Sequence, residues 1–256
     1  MDARIQESVV ANLSGRPAPI ETGPFVIGVD PGTPSPGINY ATPRPGSVIT
    51  ASDVADLVSA FHRAERQPRL EYVTSTAPDL ERLLLEAGFT VEERHEYLVC
   101  IPETLSIPPA PDGFAIRAAA SDEDFAGMVR AQHEGFSGEP QAVAPPADIA
   151  RMRRLRAKGG IAVVAVTPGG ECAGGGQAVP PHDGVSEVAG IAVRPAWRRR
   201  GIAAAVTAEV TRLLFAGGAG IAWLEASGPD SWRIYERIGY RPTGKRVYIA
   251  KDGAAA

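Results

Sequence analysis

Apolar residues in the second half of the chain alternate between the period of a strand and the period of a helix. Phe114 to Ala118 suits a strand. Ser121 followed by Asp124 has the spacing of a capping box, opening a helix that carries Phe125, Met128 and Val129 inward. Pro146 starts a second helix. Ile161 to Val166 and Cys172 to Val179 read as strands, and the turn-forming Thr167-Pro168-Gly169-Gly170 between them predicts an antiparallel hairpin. Val185 to Val193 continues the sheet. Ile202, Val206, Val210, Leu213 and Leu214 recur at helical spacing, and Gly217-Gly218 stops that helix before a strand at Ile221 to Ser227. Pro229 opens a last helix that Gly239 ends, and a final strand follows. This order predicts an α/β layer arrangement, with helices covering a mixed sheet.

The first half repeats the end of that order. Ile38 to Thr42 reads as a strand and Ser52 as an N-cap. Val54, Leu57, Val58 and Phe61 share one helix face, Leu70 to Val73 reads as a strand, and Asp79 to Ala87 as a short helix. Ala41-Thr42-Pro43 falls on Val193-Arg194-Pro195 at an offset of 152 residues, and Ala87-Gly88-Phe89 on Ile238-Gly239-Tyr240 at 151. The agreement predicts a divergent internal duplication whose first copy lacks the opening strand and helices. Between the halves, the prolines from Pro102 to Pro111 favour extended backbone and withhold amide donors. The expected organisation is a first domain over 1–105, a linker over 106–113, a second domain over 114–250 and a flexible tail over 251–256.

Composition narrows the partners. With 256 residues, 44% hydrophobic and 22% charged, the chain can bury two modest cores. Its 26 Lys and Arg against 30 Asp and Glu give a net charge of -4, which offers no overall field for nucleic acid or an anionic membrane. Cys100 and Cys172 are too few for a disulfide framework. The opening residues carry no apolar signal core, and no apolar run approaches the roughly 20 residues that span a bilayer, so a cytoplasmic protein is expected. His62, His95, His133 and His182 show no ligand spacing, and no metal is implied.

Candidate chemistry concentrates in Arg198-Arg199-Arg200-Gly201-Ile202-Ala203, between a strand and an amphipathic helix. Amides at a helix N-terminus point toward whatever lies before it, which makes an anion site. Gly201 and Ala203 keep side chains out of the way of phosphate oxygens, so a diphosphate suits this loop. With Glu187-Val188-Ala189-Gly190-Ile191-Ala192-Val193-Arg194-Pro195-Ala196-Trp197 before it and Leu224 to Tyr240 after it, the segment resembles the GNAT superfamily of acyltransferases. The resemblance is specific over about Val185 to Tyr240 and looser back to Phe114. It implies a tandem arrangement of GNAT-like sheets with an incomplete N-terminal copy. It also implies acetyl-CoA as cosubstrate, its pyrophosphate held by the amides of Arg199, Arg200, Gly201, Ile202 and Ala203 behind Arg198. The backbone of Ile191, Ala192 and Val193 would bond the pantetheine arm and the acyl carbonyl.

Glu187 stands eleven residues before Arg198, where many members of that family carry a general base. An alkyl ammonium with a pKa near 10.4 must lose a proton before it attacks, at about 4 to 5 kcal/mol at pH 7, and a carboxylate relieves that. Tyr235 matches the family tyrosine that protonates the departing thiolate, a task that suits a phenol protonated at neutral pH. The asparagine often found before this helix is absent, the segment reading Ser227-Gly228-Pro229-Asp230-Ser231-Trp232. In the first half Ser35 aligns with Glu187 and Leu84 with Tyr235, so that half is read as non-catalytic. The implied acceptor is a small-molecule or peptide amine, and the implied state a monomer or homodimer.

Rival readings rest on other segments. Val26-Ile27-Gly28-Val29-Asp30-Pro31-Gly32-Thr33 superficially resembles the first strand of ribonuclease H-like nucleases, but two prolines follow where the next ladder would begin, and Asp30 reads as a turn residue. Arg151, Arg153, Arg154, Arg156 and Lys158 lie beside Ile149, Met152 and Leu155 and read as the wet face of an amphipathic helix. The alternative to an enzyme is a sensor that holds acyl-CoA without turning it over.

Overall fold

A computed structural model describes residues 1–226 and 228–252. Along the chain run α1 (Asp2–Ser14), β1 (Ile20–Thr22), β2 (Phe25–Gly28), β3 (Tyr40–Pro43), α2 (Ala51–Arg63), β4 (Arg69–Val73), α3 (Leu80–Glu86) and β5 (Thr90–Cys100). They continue with β6 (Ala115–Ala118), α4 (Asp122–Ser137), α5 (Pro146–Ala157), β7 (Ile161–Val166), β8 (Cys172–Ala178), β9 (Val185–Val193), α6 (Ile202–Ala216), β10 (Ile221–Glu225), α7 (Pro229–Arg237) and β11 (Arg241–Ala250). Contacts divide the chain into Met1–Tyr97 with Thr243–Ala256, and Leu98–Pro242.

In the first unit the strand order is β1-β2-β3-β4-β11-β5. β11 runs antiparallel to β4, from Arg246 opposite Val73 to Ala250 opposite Arg69. The core on one face joins Phe25, Ile27, Ala41, Leu70 and Tyr72 to Val54, Leu57 and Phe61 of α2, with Val247 and Ile249 of β11 completing it. This is why the last strand belongs here rather than in a second domain running to 250. Two buried apolar side chains of β11 fill the first core. On the other face Gln6 of α1 donates to the Thr42 hydroxyl and the Pro43 carbonyl, both at 2.7 Å, and accepts from the Val73 amide at 2.9 Å.

Several expectations for this unit need correction. The N-cap of α2 is Thr50, not Ser52: its hydroxyl accepts from the Asp53 amide, and the Asp53 carboxylate accepts from the Thr50 amide at 2.8 Å. The reciprocal pair satisfies two groups that a helix start leaves open. The first copy is shorter than the second, yet it does open with a helix and a strand pair. α1 buries Ile5, Val9 and Leu13, a four-residue spacing visible in the sequence. The alignment of Ser35 with Glu187 also fails. Ala41 pairs with Leu70 where Val185 pairs with Ile221, so the register places Pro43 at the Glu187 position. This follows from taking the 151-residue offset of the Ala87-Gly88-Phe89 anchor, which carries Leu70 onto Ile221.

In the second unit the order is β5-β10-β9-β8-β7-β6. β6, β7, β8 and β9 are successive antiparallel neighbours, and β9 runs parallel to β10. Alternation along β7 separates two cores. Val163 and Ala165 pack with Val188, Ala222 and Leu224 under Val206, Val210 and Leu214 of α6. Ala162 and Val164 pack with Phe125, Met128 and Val129 of α4 and Met152 of α5. The expected capping box is present, Ser121 accepting from the Asp124 amide. Arg117 grips Asp124 at 2.7 and 2.8 Å and holds its carboxyl well below the usual range, at about 2.

The expected linker, 106–113, lies within this second unit. The Ser106 amide donates to the Ile238 carbonyl at 3.0 Å. Gly239, at φ +104°, passes so close that a Cβ there would meet the Thr104 carbonyl oxygen at 1.9 Å. Of the expected tail, Lys251 is anchored by its amide on the Pro68 carbonyl (2.9 Å) and its ammonium on the Ala87 carbonyl (2.7 Å). Residues 253–256 of that tail, and Ser227 of the expected strand 221–227, lie outside the described residues.

Candidate acyl-transfer site

The site starts from a short ladder. β9 and β10 pair at Val185 with Ile221, Ser186 with Ala222 and Glu187 with Trp223, and no later pair joins them among the described residues. β9 nevertheless runs on to Val193, still paired on its other edge with β8. Ala189 sits opposite Gln177 and Ala192 opposite Gly175, so Gly190 and Ile191 together oppose the single residue Gly176. That is a β-bulge, which bends the strand. Gly190 adopts φ +64°, and a Cβ on it would lie 2.6 Å from the Gln132 amide nitrogen. The two strands therefore fork just past Glu187, and among the described residues the β9 edge of Ile191 and Ala192 that faces β10 has no ladder partner. A fork in a parallel sheet exposes backbone donors and acceptors to a ligand laid along it.

α4 holds the bulge from one side. Gln132 donates to the Gly190 carbonyl at 2.8 Å and to the Gln177 side-chain oxygen at 3.3 Å. A Cβ on Gly135, one turn later, would lie 2.9 Å from the Ala192 Cβ. Arg198 crosses to the same place, its guanidinium donating to the carbonyls of Gly135 (2.7 Å) and Val193 (3.2 Å). The Arg198 side chain thus ties the end of β9 to the end of α4.

Beyond Arg198 the backbone alternates in hand. Arg199 is at φ +61° and Gly201 at φ +80°, both left-handed. Such alternation turns successive amides toward one side. Gly201 is the N-cap of α6 and has no side chain to close it, so the amides of Ile202 and Ala203 in the first turn have no side-chain cap. Arg199, Arg200 and Gly201 are exposed. Arg200 lies over the Trp197 ring at 5.1 Å, and Trp197 meets Phe114 edge-on at 5.6 Å, which supports the loop from beneath. Uncapped amides, a helix N-terminus and exposed guanidinium groups lie together here, an arrangement whose field favours an anion.

Tyr235 belongs to α7 and packs against the α6-side core, its ring 6.3 Å from that of Tyr240. Burial pushes its phenol above the ordinary tyrosine value, so it is protonated at neutral pH. Burial also raises both thiols, Cys172 to about 11, which leaves neither poised as a nucleophile. Glu187, Ile191, Ala192, Val193 and 198–203 thus follow one strand and the loop that leaves it, all in one unit with Tyr235. The reading of sequence missed Gln132, Gln177 and the bulge. A glycine inside an otherwise apolar strand was the available signal for the last of these.

The rival features take structural parts. Asp30 accepts from the Gly32 amide at 2.9 Å within a turn that the Asn39 side chain closes. On α5, Arg151 pairs with Asp148 at 2.7 Å, Arg153 with Asp122, and Arg156 donates to the Ala119 carbonyl at 2.8 Å. Among the described residues there is no group of three or more His, Cys, Asp or Glu that could hold a metal, and no helix long and apolar enough to cross a membrane.

Residues 130–240 match the acetyltransferase (GNAT) family model, so the chain carries a GNAT acetyltransferase domain. A GCN5-related N-acetyltransferase from Kribbella flavida superimposes with a TM-score of 0.79 at 26% identity, covering 99% of this chain and 96% of that one. One from Sphaerobacter thermophilus gives 0.61 at 18%, covering 89% and 76%. A tandem GNAT protein from the clavulanic acid biosynthesis pathway gives 0.64 at 12%, covering 91% and 79%, which speaks for the fold alone. No curated protein matches the chain.

Proposed function

We propose that this chain transfers an acetyl or similar acyl group from acyl-CoA to a primary amine, with Glu187 as general base and Tyr235 as general acid. The observation that carries the reading is the fork past Glu187 leading into the uncapped start of α6. A thioester with a diphosphate tail needs an open strand edge and an anion site in sequence, and β9 runs from one to the other. Ile191, Ala192 and Val193 would hold the pantetheine arm by backbone groups. The amides of Arg199, Arg200, Gly201, Ile202 and Ala203 would hold the diphosphate, and Arg198 would fix the loop through its two carbonyl bonds.

Glu187 would take the ammonium proton, directly or through water, and the neutral amine would then attack the thioester carbonyl. The new C–N bond forms, the C–S bond breaks, the Tyr235 phenol protonates the departing sulfur, and the second proton that the nitrogen sheds returns through solvent to the Tyr235 phenolate. The raised thiols support direct attack in place of a cysteine-bound acyl intermediate. The first unit is assigned no chemistry, since Leu84 stands at the Tyr235 position and Pro43 at the Glu187 position. Calorimetric titration of acetyl-CoA, followed by thiol release across a panel of primary amines, tests the reading. Saturable binding with amine-dependent thiol release is expected. Binding without turnover across the panel would favour the sensor, and absence of binding would end the acyl-CoA reading.

A further inference from the structure

The amide groups of Gln132 and Gln177 have their orientations forced. The Gly190 carbonyl can only accept, so Gln132 must present its NH2 there, at 2.8 Å. The second hydrogen of that NH2 then reaches Gln177, which must present its oxygen, at 3.3 Å. Among the described residues this leaves one carbonyl oxygen on Gln132 and one NH2 on Gln177 without a further bond, on side chains that are only half-buried.

Their place in the sheet gives the pair a target. Gln177 pairs with Ala189, and the Val179 amide donates to the Glu187 carbonyl at 2.9 Å, so Gln177 and Glu187 are diagonal neighbours on one face. Diagonal neighbours stand roughly 7 to 8 Å apart, within the span of a small polar molecule. Ala189, between them, adds only a methyl group to that face. A planar group bearing both a carbonyl and an N–H, set next to the amine on which Glu187 acts, would match the free donor and the free acceptor together.

We propose that Gln177 and Gln132 form an acceptor-recognition subsite that selects primary amines carrying an adjacent carboxamide, as in an amino-acid amide or a peptide N-terminus. The Gln177 NH2 donates to the substrate carbonyl, and the Gln132 oxygen accepts from the substrate N–H. This rests on the acyltransferase reading and adds the class of acceptor. The discriminating variant is Gln177→Glu, which keeps an oxygen toward Gln132 but removes both N–H donors. Gln177→Leu serves as a second, uncharged variant.

The test compares kcat/KM for pentylamine and norleucinamide, which differ by one carboxamide beside the amine, with acetyl-CoA affinity measured separately by calorimetry. With kcat/KM referred to the free-amine form of each acceptor, because an α-amino amide loses its ammonium proton well below the alkylamine, the wild type is expected to prefer norleucinamide by about tenfold, the scale of one or two net hydrogen bonds. Both variants should lose that preference through a higher KM for norleucinamide, and Gln177→Glu, which keeps the oxygen that Gln132 bonds, should do so with its acetyl-CoA affinity within about twofold of wild type. Equal kcat/KM for the two free amines, a preference that survives both substitutions, or turnover of neither amine by a protein that acetylates another primary amine of the panel overturns the proposal alone. Failure to bind acetyl-CoA overturns the acyltransferase reading and this inference with it. Norleucyl-glycyl-glycinamide separates the two sources: a kcat/KM at or above that of norleucinamide assigns a peptide end, and a lower one assigns a small amide.

Discussion

Replacing Gly201 with aspartate places a negative charge where the account puts a diphosphate. Gly201 is at φ +80° and a Cβ there would have nothing within 4 Å, so the obstacle to a side chain is backbone hand alone. Aspartate and asparagine tolerate that hand better than other residues. The fold should lose no more than about 1 kcal/mol, part of it offset by about 0.3 to 1 kcal/mol from a carboxylate at a helix start. Against a bound anion, two unit charges 4 Å apart repel by about 1 kcal/mol in water and about 4 kcal/mol at an effective dielectric of about 20. Because the loop is exposed, the lower end applies: about 1 to 2 kcal/mol, or about 5- to 30-fold in Kd for acetyl-CoA. Gly201→Asn has the same shape without the charge and should change Kd by less than about threefold. Raising salt from about 0.1 M to about 1 M shortens the screening length from about 10 Å to about 3 Å and should remove most of the difference between the two variants. Equal Kd values for the two variants at low salt, or a difference that salt leaves intact, would refute the placement of the diphosphate at this helix start.

Other perturbations probe the frame around the site. Gly190→Ala forces a Cβ to within 2.6 Å of Gln132 in a left-handed backbone, so thermal unfolding should show a loss of about 1 to 3 kcal/mol, together with weaker acetyl-CoA binding. Thr211 donates to the Thr207 carbonyl at 2.8 Å, so the Tyr240 phenol must donate to Thr211 across their 2.6 Å contact. Thr211→Val leaves that fully buried phenol without an acceptor and should cost about 1 to 3 kcal/mol in denaturant unfolding, whereas Tyr240→Phe should cost about 0.5 to 1.5 kcal/mol. The reverse ranking would contradict this assignment of donors. Asp124 is held at about 2 by Arg117, so its folded value lies below its unfolded one. Its contribution is present above about pH 4 and lost as pH falls to about 2. Arg117 is half-exposed, which brings the expected deficit of Asp124→Asn at neutral pH down to about 1 to 2 kcal/mol, and unfolding measured across this window should show the deficit closing on the acid side.

What the sequence made legible followed from local rules. The capping box at Ser121, the hairpin through Thr167 to Gly170 and the glycine-led start of α6 each need only neighbouring residues. The Arg198 to Ala203 loop was legible for the same reason. The long-range register was not: the match of Ala41-Thr42-Pro43 with Val193-Arg194-Pro195 looked sound, yet the pairing of Ala41 with Leu70 shifts it. Thr50 and Ser52 are both good caps by composition, and only the return bond from Asp53 decides between them. β11 reads as the last strand of the second domain until its Val247 and Ile249 are seen in the first core. Charged residues in strands were equally opaque. Arg69 and Glu71 of β4 are buried because they pair with each other, with Glu92 at 2.7 Å from Arg69 and Arg246 3.6 Å from Glu71. Gln132 carries no motif at all, since its importance arises only where α4 meets the bulge.

The measurement that bears most directly on acyl transfer at the fork is amine-dependent thiol release by Glu187→Gln beside the wild type, with acetyl-CoA affinity measured on both proteins. Removing a general base while keeping its shape should lower kcat/KM for the amine by about 100- to 10,000-fold and leave the Kd for acetyl-CoA unchanged. Wild-type rates in the variant would contradict the role given to Glu187, and with it the claim that the fork past this residue is where the acyl group changes hands.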